Sequence, residues 1–265
     1  MTRAAWKGYI SLGQLGIPVR LYSGARSIRP HLFQLHESDG SPVERQLRCS
    51  AEQREISPSE IIRAVETEPG KYLTLTDQEL EAAASDTPKS IAVRQFSDMA
   101  AIPPHHFDKT FYIVPTRGGE RAYALLREVL GRTRKVAIAH FSIYGREHLA
   151  ALGVAGDLLM LYQLRYAAEI MPRSSLKTPS LPRPTPKEIA TLSAVVDRFS
   201  GPLYLEDYHD EYADHLAELV ERKTRGLPSS KSEHPEPHAT GDKELITVLE
   251  DVLQTGHSLP TAQIP

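Results

Sequence analysis

Apolar and polar residues alternate along the first 22 positions of the chain. Trp6 and Ile10 fall on one face of an extended backbone, and Lys7 and Tyr9 fall on the other. Because successive side chains of a strand point to opposite faces, this period of two predicts a strand with one buried face. The alternation resumes at positions 17–22 after a turn, and it predicts a second strand there.

Further strands are expected where short apolar or β-branched runs are bounded by turn residues. These runs occupy positions 71–75, 91–96, 111–114, 135–144 and 158–166. Helices are expected at capping boxes, in which a Ser or Thr precedes a Glu by three residues. The boxes pair Ser57 with Glu60, Thr76 with Glu79, and Thr185 with Glu188. Apolar positions at helical spacing predict more helices, which begin near Glu120, Tyr208 and Asp242.

Strands with helices inserted between them predict a mixed α+β domain that is built on a barrel or a curved sheet. Residues 1–171 contain all the predicted strands. Within them, positions 26–54 have an irregular sequence that contains several arginines. Long irregular segments of compact proteins are functional or disordered, so an extended arm and a disordered segment are both open interpretations of this stretch.

The remainder of the chain is predicted to be helical. A proline-rich joint opens the segment 172–226, and two helices follow it. Residues 227–241 have the composition of a flexible linker. The helix expected within residues 242–256 is too short to be stable alone in water. Its apolar stripe is therefore expected to dock, either on the body of this protein or on a partner.

Composition places the chain among ordinary globular proteins. Of its 265 residues, 40% are hydrophobic and 25% are charged, which is enough apolar sequence for a sizeable core. The single cysteine, Cys49, cannot form an internal disulfide, and alone it argues against a zinc finger. No stretch approaches roughly eighteen uninterrupted apolar residues, and the N-terminus lacks a secretory signal. We therefore expect a cytoplasmic protein with no membrane partner.

The net charge of −3 conceals an uneven distribution. Residues 1–30 carry five Lys or Arg and no acid, whereas residues 226–265 carry two Lys and six acids. The segment 117–148 carries seven Lys or Arg against three acids. Because segregated basic surface attracts polyanions whatever the total charge, these segments are candidate binding regions.

The sequence contains no nucleophile elbow, phosphate loop, dinucleotide fingerprint or zinc-protease motif. Its one enzyme-like signal is the run of acids and histidines at 206–215, since clustered carboxylates and imidazoles can bind a metal ion. A solvated helix face with acids in its first turn accounts for the same residues. Both interpretations stay open on the sequence alone.

Several motifs follow one another in the order found in one family. They are RAAWKGYIS at 3–11, IPVRLY at 17–22, FQLH at 33–36, KYLTLTD at 71–77, FDK at 107–109, GGE at 118–120, AYALLR at 122–127, GREHLAAL at 145–152, LRYA at 164–167 and YHDEY at 208–212. Over roughly residues 3–226 the sequence resembles the prokaryotic Ku proteins of non-homologous DNA end joining.

The resemblance implies an α+β protein with a Ku-type β-barrel core, inserted helices and C-terminal helices. An arm of about residues 26–70 would complete, in a homodimer, a ring around double-stranded DNA at a broken end. The resemblance further implies binding without sequence specificity, association with the nucleoid and recruitment of an ATP-dependent DNA ligase. It implies no catalytic residue, metal or cofactor. A metal-dependent hydrolase using 206–215 and a protein-interaction module without DNA binding remain the alternatives.

Candidate DNA contacts are the basic residues of the first strands and the arm, because Lys and Arg hold phosphates without reading sequence. They are Lys7, Arg20, Arg26, Arg29, Arg45, Arg48, Arg54 and Arg63. The arginines at the helix expected from Glu120 are secondary candidates, namely Arg117, Arg121 and Arg127. The tail helix resembles the short hydrophobic motif with which relatives engage the ligase. Its apolar stripe supplies the candidate docking residues Leu245, Val248, Leu249 and Val252.

The chain differs from many relatives in two features. Glu52 stands three residues after Cys49, where many relatives have a second cysteine, so no metal or redox pair is expected there. Many relatives also end in a lysine-rich tail that adds affinity for DNA. Because residues 227–265 are acidic on balance, we do not expect them to bind DNA.

Overall fold

The computed structural model describes residues 3–28, 30, 32–83, 89–143, 145–227 and 245–255. Its strands are β1 Trp6–Leu12, β2 Leu15–Ser23, β3 Arg63–Glu68, β4 Lys71–Leu75, β5 Ser90–Asp98, β6 Phe107–Pro115, β7 Lys135–Ile143, β8 Arg146–Ala155 and β9 Leu158–Leu164. Its α-helices are α1 Asp77–Ala83, α2 Glu120–Thr133, α3 Pro186–Phe199, α4 Glu211–Thr224 and α5 Leu245–Thr255. Within these ranges, no helix is long and apolar enough to cross a membrane.

Seven strands close into a barrel in the order β1-β2-β6-β9-β8-β7-β5. Neighbouring strands are antiparallel except at the seam, where β5 pairs with β1 in parallel. Between β1 and β2 the register places Lys7 opposite Arg20 and Ile10 opposite Ile17. The predicted α+β architecture with a barrel core is therefore confirmed.

The barrel interior is filled by the inward side chains of its strands. From β1 and β2 these are Trp6, Ile10, Ile17, Val19 and Leu21, all buried. Each such side chain contributes roughly 1.5–3 kcal/mol of hydrophobic stabilisation when it leaves water. The alternation expected in the first 22 residues is confirmed, and it points the intervening polar residues away from the core.

Helix α2 is inserted between β6 and β7 and packs its apolar stripe into the barrel core through Tyr123 and Leu130. The Tyr123 hydroxyl donates a hydrogen bond to the carbonyl oxygen of Ile113 at 2.6 Å. The same hydroxyl accepts a hydrogen bond from the backbone N–H of Leu159 at 2.7 Å. Burial raises the pKa of Tyr123. One side chain thus fastens the helix to two strands of the barrel.

One predicted helix is wrong. The capping box at Ser57 does form, but it produces only a single 3-10 turn at Pro58–Glu60. The chain then extends into β3, which pairs with β4 around a turn at Gly70, a residue with φ of 80°. The cap satisfies only local backbone groups, and the hydrogen-bonded ladder with β4 outweighs it. No pattern in the sequence predicted β8, because its alanine-rich segment shows no alternation.

The chain divides into two compact units. The first comprises residues 1–28 and 33–176, and the second comprises residues 29–32 and 177–265. In the second unit Thr185 caps α3 with the expected capping box. The part of the predicted linker from 228 to 241 and the expected cap Asp242 lie outside the described residues.

Within the second unit, α5 packs against α3. The Lys187 ammonium lies 3.3 Å from a carboxylate oxygen of Glu250, and the Arg198 guanidinium donates a hydrogen bond to the carbonyl of Leu253. Leu249 lines a groove together with α3. Of the two expectations for the tail helix, the structure therefore shows docking on this chain itself.

Replacing Tyr123 with Phe is expected to lower the free energy of unfolding by roughly 2 kcal/mol, because a buried carbonyl and a buried N–H both lose their partner. Urea denaturation followed by circular dichroism measures the change. Tyr72→Phe is the matched control, since the Tyr72 side chain is exposed. Equal stability of the two variants would contradict a fastening role for the Tyr123 hydroxyl.

Candidate nucleic-acid interface

Four basic side chains line one cleft on the barrel around β1 and β2. They are Arg3, Lys7, Arg20 and Lys89, and we call this region the basic cleft. Its volume is about 580 Å³, and Trp6 and Tyr22 also contribute to its lining. All four basic residues are exposed, and none forms an ion pair with an Asp or Glu in the described part of the chain.

The register of the first two strands explains why positive charge accumulates in the basic cleft. Lys7 and Arg20 are direct cross-strand partners. Side chains in such positions have Cβ atoms roughly 4.5–5.5 Å apart, and like charges placed there repel each other. This strand pair therefore carries an electrostatic cost that a bound anion removes.

Lys89 reaches the basic cleft because β1 and the start of β5 approach each other closely. The backbone N–H of Tyr9 donates to the carbonyl oxygen of Lys89 at 3.0 Å. A Cβ atom at Gly8 would lie 2.0 Å from that oxygen and 2.3 Å from the Trp6 ring. Glycine at position 8 is therefore required for this approach. The Trp6 ring is itself held by a hydrogen bond from Nε1 to the carbonyl of Ser142 at 2.8 Å.

The structure adds two basic residues that sequence reasoning missed. Lys7 and Arg20 were predicted, whereas Arg3 and Lys89 were not. Arg3 belongs to the acid-free segment 1–30, so the local charge excess could have identified it. Lys89 carries no such signal, because only the long-range pairing of β5 with β1 brings it to the cleft.

The basic residues predicted in the arm differ in whether they are neutralised by neighbours. Arg54 is paired with two carboxylates, at 2.5 Å from Glu52 and 2.7 Å from Glu60. The Arg54 guanidinium, together with the N–H of Ser57, holds the pKa of Glu60 below its usual value. Because its guanidinium is already occupied, Arg54 is a poor candidate for a phosphate contact.

The other predicted arm residues fall into three groups. Arg48 donates from Nε to the carbonyl of Gln53 at 2.6 Å, and Arg63 lies 3.6 Å from a carboxylate oxygen of Asp77. Arg26 and Arg45 are exposed and have no carboxylate partner among the residues that the structure describes. Arg29 lies outside those residues.

The secondary candidates lie at the start and along the outer face of α2. Arg117 and Arg121 are exposed. Arg127 donates from its guanidinium to the carbonyl of Asp157 at 2.5 Å, which ties it to the turn between β8 and β9. None of the three lines the basic cleft.

The acidic run at 206–215 has a structural role at one of its residues. Asp210 caps α4, because its carboxylate accepts a hydrogen bond from the backbone N–H of Ala213 at 3.2 Å. Over the described ranges, no group of three or more His, Cys, Asp or Glu side chains is arranged to hold a metal ion. The described residues therefore contain no cluster that would support a metal-dependent hydrolase.

The candidate docking residues of α5 are divided between two environments. Leu245 and Leu249 line the groove that α5 forms with α3, and Val252 is half-buried. Val248 has 41% of its surface exposed. Leu249 and Val252 are the more covered members of the stripe, whereas Leu245, with 38% of its surface exposed, is nearly as available to a partner as Val248.

The sequence of the barrel matches a known protein family. The profile of the Ku70/Ku80 beta-barrel domain matches residues 11–191. The chain belongs to the Ku family. Similar proteins named non-homologous end joining protein Ku occur in Archaeoglobus fulgidus, at 33% identity over 95% of this chain and 98% of the relative, and in Solibacter usitatus, at 31% identity over 85% and 84%. The protein of that name in Bacillus subtilis is 28% identical over 92% of this chain and 79% of the relative.

Membership of the Ku family confirms the resemblance seen in the sequence motifs, from the opening strands to the C-terminal helices. The profile begins within β1 and ends within α3. It therefore covers strands from both sides of the basic cleft, including β2 and β5, and the whole of the remaining barrel.

Proposed function

We propose that the chain binds broken double-stranded DNA ends without sequence specificity, as a ring-shaped homodimer, and that it recruits and stimulates an ATP-dependent DNA ligase in non-homologous end joining. The observation that carries this proposal is the basic cleft, with four cations and no acidic partner in the described residues. The relatives named for non-homologous end joining support the same role. In this role the protein is a binding scaffold rather than an enzyme.

Binding without sequence specificity follows from the type of side chain that is available. Lys and Arg contacts to phosphates fix position on a duplex and carry no sequence information. Among the described residues, neither the cations of the basic cleft nor Arg26 and Arg45 have an acidic partner, so they are available for such contacts. Because each phosphate contact releases condensed counterions, affinity is expected to fall steeply as salt is raised.

The arm supports the homodimer. The β3–β4 hairpin, which begins within the arm and ends just beyond it, has no buried residue, and 68% of Tyr72 and 58% of Leu73 are exposed. An isolated two-stranded hairpin is marginally stable in water, and exposed apolar side chains in such an element indicate an interaction surface. We propose that a second copy of the chain covers it, and that the two arms complete the ring around the duplex.

The ligase is proposed to dock on the pair formed by α3 and α5. Val248 provides an exposed apolar contact on α5, and Ile189 and Leu192 of α3 are also about half exposed beside the groove. An apolar groove between two helices suits an amphipathic element of a partner. Residues 226–265 carry more acids than bases, which is unfavourable for binding DNA. We therefore propose that this surface binds the ligase and not the phosphates.

A ring that threads onto an end cannot load onto DNA without ends. Linear duplex is therefore expected to be shifted in a native gel, whereas closed circular DNA of the same sequence stays unbound. Circles that are cut once with a restriction enzyme provide the matched control, since only the end is added. Equal binding to circular and linear DNA would contradict a threaded ring.

The salt dependence of binding distinguishes free from neutralised arginines. Arg20→Ala is expected to lower the slope of log affinity against log salt by about one unit, because one phosphate contact is lost. Arg54→Ala is the matched control and is expected to leave the slope unchanged, since its guanidinium is held by Glu52 and Glu60. Fluorescence anisotropy over a salt series measures both slopes. The assignment of Arg20 fails if its slope equals that of the unmodified protein.

Deleting residues 227–265 is expected to preserve DNA affinity and to reduce stimulation of the ligase in an end-joining assay, because the deletion removes α5 and no predicted phosphate contact. Val248→Asp is expected to reduce the stimulation in the full-length chain, where α5 remains on α3. A collapse of DNA affinity in the deleted protein would overturn this division of labour.

A further inference from the structure

We propose that Lys187 and Arg198 of α3 are positioning residues for the ligase: they hold α5 against α3, so that the partner meets one surface built from two helices. The inference rests on the proposed function and deepens it, because it states how the docking surface is kept in place. The alternative is a tail helix that binds the ligase only after it has left α3. The two mechanisms predict opposite effects of the same substitutions.

Helix α5 depends on α3 for its helical state. It has 11 residues, and isolated helices shorter than about 12 to 15 residues are marginal in water. Its apolar side chains cover a wide arc, in which Ile246, Leu249 and Leu253 are half-buried, whereas Leu245 and Val248 are exposed. The contact with α3 therefore keeps α5 folded and still leaves one edge of the arc open to a partner.

Two basic side chains of α3 fix the place of α5. Lys187 lies in the first turn of α3, and its ammonium is 3.3 Å from a carboxylate oxygen of Glu250. Arg198 lies in the last turn and donates to the carbonyl of Leu253, near the C-terminus of α5, where the helix dipole favours a cation. Because the two cations are roughly 16 Å apart along α3, together they restrain both the position and the direction of α5.

The groove for the partner exists only while α5 is held in this place. Leu245 and Leu249 of α5 line it from one side, and Ile189, Leu192 and Val196 of α3 line it from the other. Its volume is about 790 Å³, and each of the three α3 residues keeps about half of its surface exposed. A single helix is convex, so separation of the two helices would remove the concave site. A site that is assembled in advance also avoids the cost of ordering α5 when the ligase binds.

Charges at the rim define the chemistry of the partner. Arg183 precedes α3 and Asp197 lies in its last turn, and both line the groove. Neither has a partner of opposite charge in the part of the chain that the structure describes. An amphipathic segment of the ligase would satisfy both if it placed an apolar ridge in the groove, an acid beside Arg183 and a base beside Asp197.

The test measures the affinity of the full-length protein for the purified ATP-dependent DNA ligase of the same genome, by biolayer interferometry without DNA. Lys187→Glu is expected to weaken binding about fivefold, because an exposed ion pair is replaced by repulsion between two carboxylates. Lys187→Glu combined with Glu250→Lys is expected to restore the affinity, since the pair forms again with its signs exchanged. Arg198→Ala is expected to weaken binding in the same direction as Lys187→Glu.

Lys223→Glu is the matched control, since Lys223 is an exposed lysine of α4 outside the groove and its reversal changes the net charge equally. It is expected to keep the affinity of the unmodified protein. Hydrogen exchange of the α5 amides reports directly on the contact with α3. Exchange is expected to be faster in Lys187→Glu and to return to the original rate in the variant that also carries Glu250→Lys.

Tighter binding of the ligase by Lys187→Glu would overturn the inference, because it would show that α5 acts after release from α3. Unchanged exchange in α5 would show that Lys187 does not hold the helix, and faster exchange with unchanged affinity would remove α3 from the docking surface. A double variant that fails to recover would place Lys187 in direct contact with the ligase. If the unmodified protein binds no ligase, the proposed recruitment fails as well, whereas the other results contradict only the positioning role.

Discussion

The parallel pairing of β1 with β5 is the interaction on which the rest of the structure depends. It closes the barrel and leaves none of its seven strands with an exposed edge. The inner face of β1 contributes Trp6 and Ile10 to the core, and its outer face presents Lys7. The same seam brings Lys89 beside that lysine. The pairing that closes the barrel therefore also assembles the basic cleft.

The basic residues of this chain differ in whether they have a partner in the fold, a difference that the sequence does not show. Arg54 crosslinks two carboxylates within the arm, and Arg127 is tied to a turn of the barrel. The exposed ion pairs of Arg54 add little stability, but they occupy its guanidinium. Lys7 and Arg20 face each other without relief from any acid in the described ranges. Repulsion between neighbouring cations, rather than their number, therefore distinguishes the basic cleft from the arginines that have partners.

The parts of the fold that depend on short-range patterns were predictable. Alternation identified β1 and β2, and the capping box at Thr185 identified α3. At Ser57 a genuine cap led to a wrong helix, because pairing with β4 decided the outcome. The membership of Lys89 in the cleft could not be predicted, since it depends on a contact between segments that are far apart in the sequence. Nor could the sequence show that α3 covers α5.

The strand order also sets when the barrel can form during synthesis. Next to β2 lies β6, and next to β6 lies β9, which ends at Leu164. The ring of strands therefore cannot close until more than half of the 265 residues have left the ribosome. Until then the apolar faces of the first strands remain exposed, and such species are prone to aggregate. The many pairings between strands that are distant in the sequence also make closure of such a barrel slow compared with the formation of its helices.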